Sequence, residues 1–67
     1  MINVWDYANA KKVKITNIDK DVFIGRVVCV MDTEENGENE DDITIQVDKN
    51  TIIGFFPSEI KNIEVIE

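Results

Sequence analysis

Ten consecutive residues, Val22-Phe23-Ile24-Gly25-Arg26-Val27-Val28-Cys29-Val30-Met31, carry β-branched and other apolar side chains on both alternating sets, with a glycine as the fourth member. β-Branched side chains favour extended backbone, and apolar residues on both sets imply a strand covered on both faces. Glycine inside a strand weakens it and marks a bend, a bulge or a close backbone approach. A strand of this length that bends at Gly25 can serve both halves of a small barrel and so remove open sheet edges. The chain has 67 residues, and a domain of this size buries only about 60% of the surface its unfolded chain exposes. Small cores lean on a disulfide, a metal or a partner subunit. With one cysteine, Cys29, and no histidine, an internal disulfide and a zinc site of standard spacing are both out of reach. Oligomerisation is the remaining support.

The other segments agree with a mainly β chain. Asn3 is placed to cap a short N-terminal helix, with Asp6 in its first turn, inside an N-terminal segment 1–11. Val13 and Ile15 then alternate with Lys12, Lys14 and Thr16, the period of a strand with one buried face. Asn17 to Asp21 has turn chemistry. Ile43-Thr44-Ile45-Gln46-Val47 alternates cleanly, Asp48 to Thr51 is a turn, and Ile52 to Phe56 is a fourth strand. Pro57-Ser58-Glu59 interrupts it with a tight turn or one 3₁₀ turn, and Asn62 to Ile66 forms the fifth strand. The sum is one domain over residues 1–67: a five-stranded, strongly bent, SH3-like barrel.

The formal charge is −7, and its distribution matters more than its size. Seven of the fourteen acids (Asp32, Glu34, Glu35, Glu38, Glu40, Asp41, Asp42) fall in the segment 32–42, which has no Lys or Arg; the remaining chain carries seven acids and seven bases. Asn36-Gly37 at its centre is the preferred pair of a type I′ hairpin. Carboxylates on opposite arms would repel across the ladder, so a frayed, mobile acidic loop is expected. Asp32, Glu34, Asn36 and Glu38 match four positions of an EF-hand loop, but Ile43 stands where the bidentate glutamate belongs. A solvated loop without a dedicated metal site is the expectation, and no cofactor is implied.

Cys29, mid-strand among valines, reads as a small buried hydrophobe. Without histidine, Ser-His and Cys-His catalysis are excluded, and the remaining carboxylates and lysines carry no pocket signature, so a non-enzymatic role is expected. Adjacent Phe55 and Phe56 point to opposite sheet faces if strand-like, one into the core and the other covered by the N-terminal segment or exposed to a partner; a bend at Pro57 would instead bury both. With Ile63 and Val65 they form the candidate interface of the last two strands. Lys12 and Lys14, on one strand face, belong to the only basic cluster and are the candidate phosphate contacts. The run Met1 to Asp6 lacks the pattern of a signal peptide, and no apolar run approaches bilayer length, so a cytoplasmic protein without membrane association is expected.

This order of features resembles the bacterial Sm-like (LSm) proteins, over roughly Lys12 to Ile66. The residues that carry it are Lys12-Val13-Lys14-Ile15 with the Asp19-Lys20-Asp21 turn, Val22 to Val27, and Ser58-Glu59-Ile60-Lys61-Asn62-Ile63. Gly25, Asp32 and Asn36 fit the family's first motif, although Glu35 replaces the usual apolar residue before the asparagine. The second motif, with its arginine before a glycine, has no counterpart: Ile53 precedes Gly54. The resemblance implies a ring or smaller oligomer built by strand pairing between neighbours. It also implies RNA binding with Asn36 in the base pocket, which the acidic charge opposes. A self-associating or protein-binding module acting through a sheet edge is therefore expected, with an RNA-binding ring as the alternative.

Overall fold

The computed structural model describes residues 2–67. Asn3 opens the fold: its side chain accepts a hydrogen bond from the Trp5 amide and starts a 3₁₀ turn over Val4–Tyr7. Five strands follow, β1 Lys12–Asn17, β2 Val22–Met31, β3 Asp42–Asp48, β4 Thr51–Phe55 and β5 Ile60–Val65. They form one antiparallel sheet in the order β4-β3-β2-β1-β5. The expected small, bent β-barrel architecture is what the chain adopts, and it fits an SH3-like or Sm-like barrel. Among the described residues no helix is long and apolar enough to cross a membrane.

Connections follow the local chemistry. Asn17 ties the β1–β2 turn by accepting from the amides of Asp19 and Asp21, while Lys20 takes the left-handed conformation at φ 71°. Asp48 accepts from the Asn50 amide in the β3–β4 turn. That bond, with smaller contributions from the Thr51 hydroxyl and amide, holds the Asp48 carboxyl below its ordinary value. Pro57–Glu59 makes one 3₁₀ turn before β5, with the Glu59 carboxylate accepting from the Phe56 amide.

Gly25 marks a close backbone approach. A Cβ there would lie 2.5 Å from the carbonyl oxygen of Gln46 on β3 and 2.9 Å from its carbon. Only glycine lets the two backbones come this close. A register shift between Val27 and Cys29 adds further curvature to β2. The curved sheet encloses Val13, Ile15, Ile43, Ile45, Phe55, Ile60 and Ile63, and Val4 of the 3₁₀ turn completes the core. Phe23 packs edgewise on Phe55, with ring centroids 5.3 Å apart and planes at 56°, an arrangement that the ring quadrupoles favour.

Three expectations are corrected. The sheet is not edgeless, because β4 and β5 sit at its two ends and each pairs with one neighbour only. β2 is not covered on both faces: Val22, Ile24 and Val28 are between 43% and 52% exposed. Apolar patterning shows that a face needs cover without showing that the same chain supplies it. Cys29 is half-buried, not fully buried, since its register partner is Thr44 on the outer face.

Replacing Gly25 with alanine should cost roughly 1–3 kcal/mol, because the clash is with backbone that cannot rotate away. Gly54→Ala is the control: its Cβ would meet Thr44 Oγ1 at an ordinary 3.6 Å, and a change within about 0.5 kcal/mol is expected. Urea denaturation of both variants measures the difference.

Candidate functional site

The acidic segment folds into a capped helical turn, in place of the expected hairpin. α1 spans Thr33–Asn36, with Asp32 at its N-cap and Gly37 at its C-cap with φ 71°. The reason lies in a reciprocal capping pair. Asp32 Oδ1 accepts from the Glu35 amide at 2.9 Å, and Glu35 Oε1 accepts from the Asp32 amide at 3.4 Å. Gly37 therefore ends a helical turn, and its amide donates to Thr33 O.

Asn36 is the internal fastener of this turn. Its Nδ2 donates to Glu40 O at 2.9 Å and to Asp42 Oδ2 at 3.2 Å, and its Oδ1 accepts from the Glu38 amide at 2.8 Å. Two further carboxylates bind the turn to the body. Asp41 accepts from the Trp5 indole Nε1 at 2.8 Å and from the Thr33 amide at 3.1 Å. Glu40 accepts from the Ser58 amide at 3.0 Å and its hydroxyl at 2.6 Å, at the start of the second 3₁₀ turn. Among the described residues, Asp42 Oδ1 is the one buried side-chain polar atom without a partner.

These bonds decide what the turn can do. Asp32, Glu34, Asn36 and Glu38, the EF-hand-like positions, do not converge: Asp32 caps the helix, Asn36 directs its amide at Glu40 and Asp42, and Glu34 and Glu38 are exposed. Among the described residues no three His, Cys, Asp or Glu side chains stand together as a metal-binding group. A shallow cleft of about 370 Å³ between the N-terminal segment and this turn is lined by Ile2, Val4, Pro57, Glu40 and Asp41 among others. Both of its carboxylates are already engaged by Ser58, Thr33 and Trp5.

The sheet surfaces redistribute the other candidates. Lys12 and Lys14 lie on the outer face, register partners of Arg26 and Ile24 on β2. Arg26 joins them there as the register partner of Lys12. Asn36 is separate from this group, occupied inside the acidic turn, so the three proposed nucleic-acid contacts do not form one site. Of the interface candidates, Phe55 and Ile63 are buried in the core and are corrected accordingly. Phe56 is half-buried, and Val65 on β5 is 54% exposed. Ile52 on β4, not foreseen, is 61% exposed; its place between turn residues and Ile53 was the available signal.

Comparisons with known proteins return no matching family model, no matching curated protein and no matching solved structure.

Asn36→Asp keeps the shape of the side chain and replaces its amide donor with a second carboxylate, facing Glu40 O and the Asp42 carboxylate. A loss of about 1–3 kcal/mol by urea denaturation is expected, against a change within about 0.5 kcal/mol for Glu34→Gln, whose carboxylate is exposed.

Proposed function

We propose that this chain is a non-enzymatic, Sm-like interaction module of the cytoplasm that self-associates, or recruits a protein partner, through the open edges of its sheet. The observation that carries this reading is the state of β4. It ends the sheet, pairs only with β3, and its sequence Thr51-Ile52-Ile53-Gly54-Phe55 contains no charge and no proline. Edge strands that stay exposed in solution are ordinarily protected by charge, proline or a bulge. The β3–β4 ladder has a register shift between Gln46 and Asp48, at the Thr51 end, and pairs regularly from Ile52 to Phe55; such an uncharged apolar edge is suited to accept an added strand, whose main-chain hydrogen bonds supply affinity while alternate side chains supply selectivity. β5, at the opposite end of the same sheet, offers the complementary edge with Val65 exposed. Two different edges on one protomer make a head-to-tail contact, which closes into a ring when the rotation between copies permits.

A second reading, an RNA-binding ring, has one supporting observation: Lys12, Lys14 and Arg26 share the outer face of β1 and β2. Against it stand the net charge and the absence of any aromatic side chain among the outer-face register partners of these two strands, since single-stranded RNA is commonly held by stacking.

Sedimentation velocity tests the edge reading. The wild-type chain should sediment as an oligomer, and Ile52→Lys or Val65→Lys should each shift it to a smaller species, because each places a charge at an edge at little cost to the fold. A wild-type monomer at the highest soluble concentration overturns self-association. RNA binding is tested by fluorescence anisotropy with a single-stranded oligonucleotide. Three bases neutralising phosphates give a log-log salt slope of about −2, abolished by Lys12→Ala/Lys14→Ala/Arg26→Ala, and no affinity at low salt removes this reading.

A further inference from the structure

We propose that the outer face of β2 is a second self-association surface, which receives the Trp5-bearing acidic end of another copy. The contact is distinct from edge pairing, which uses β4 and β5. Along β2, the aliphatic residues Val22, Ile24 and Val28 are exposed with Arg26 among them. Arg26 donates to Gln46 Oε1 at 2.6 Å. The one ion pair within 4.0 Å among the described residues is Lys12 with Glu67 at 3.8 Å, so Arg26 has no carboxylate of its own. Lys14 is the register partner of Ile24 and extends the basic character of the strip, with Glu64 beyond it on β5.

The acidic turn that follows β2, with the N-terminal 3₁₀ turn bonded to it, has the matching chemistry. Asp32, Glu35, Glu40, Asp41 and Asp42 accept hydrogen bonds within the protein. Glu34 and Glu38 are exposed and outside that network, so their charge is free for a partner. Trp5, tied to the same segment by its indole bond to Asp41, is 43% exposed. A surface with one indole and two free carboxylates complements a strip with three aliphatic residues, an arginine and a lysine. The indole supplies apolar area and a face for a cation, and the carboxylates supply partners for Arg26 and Lys14. The basic strip and the acidic turn belong to different regions of one molecule. Among the described residues no ion pair joins them within the molecule, and between copies they make a head-to-tail contact.

Charge exchange tests this. Lys14→Glu/Arg26→Glu and Glu34→Lys/Glu38→Lys each place like charges on both sides of the contact, so each variant alone should associate at least about tenfold more weakly than wild type. An equimolar mixture of the two should associate again, because reversed face meets reversed turn and native face meets native turn. Wild-type association through this surface should weaken as salt rises. Sedimentation velocity at low and high salt reads all three, with circular dichroism to confirm folding. Where a reversed variant is misfolded, Lys14→Gln/Arg26→Gln replaces it and should still weaken association. Charge variants that associate like wild type, a mixture that stays dissociated, or an association indifferent to salt overturn the proposal. If only Ile52→Lys and Val65→Lys disrupt the assembly, edge pairing stands and this surface fails. If a salt-sensitive association survives those edge substitutions and is lost on charge reversal, this surface stands by itself.

Discussion

The contact between the Gly25 backbone and the Gln46 carbonyl is the constraint on which the rest of the molecule depends. A flat sheet of five short strands has no inside, and a chain of this size has no second layer to pack against it. By letting β2 fold over β3 at closer range than any side chain permits, the glycine turns one sheet into its own second layer. Ile43 and Ile45 of β3 then meet Val13 and Ile15 of β1 across an enclosed space. The same curvature leaves the sheet with a convex outer face and two terminal strands, the surfaces on which any function must be built.

The acidic segment is the second organising feature, and its charges are largely structural. Carboxylates from Asp32, Glu35, Glu40 and Asp41 accept backbone amides that would otherwise lack partners at helix and turn starts. Such charge-assisted bonds are stronger than their neutral counterparts, and they offset the mutual repulsion of seven acids placed close together. Two acids are left outside the network. The distinction between bound and free carboxylates, invisible in a net charge, separates the part of the segment that holds the fold from the part that can meet a partner.

Much of this architecture was legible in the residues themselves. The alternation of Val13/Ile15 and Ile43/Ile45, the Asn3 cap, the Pro57 turn and the special role of Gly25 all follow from local patterns that the tertiary structure does not oppose. The acidic turn was misread because two local signals compete there: Asn36-Gly37 favours a hairpin, while Asp32 with Glu35 three residues on is a capping pair. The cap prevails because Asn36 gains three hydrogen bonds inside the turn. Phe55 and Phe56 are indistinguishable by period alone, and which one enters the core depends on how β4 runs into the Pro57 turn. The candidate site was legible only as residue types. Doubly apolar patterning on β2 reports a demand for cover, and whether another strand or another molecule meets it is a property of the assembly.

The bond between Trp5 and Asp41 links residues far apart in sequence, and it involves the only indole in the chain. It joins the N-terminal turn, already anchored in the core by Val4, to the acidic turn. The molecule thus carries a single intrinsic fluorophore at the joint between these two turns, half in solvent and hydrogen-bonded to an anion. Its emission colour is a native optical gauge of whether the two ends of the fold are locked together, with no label required.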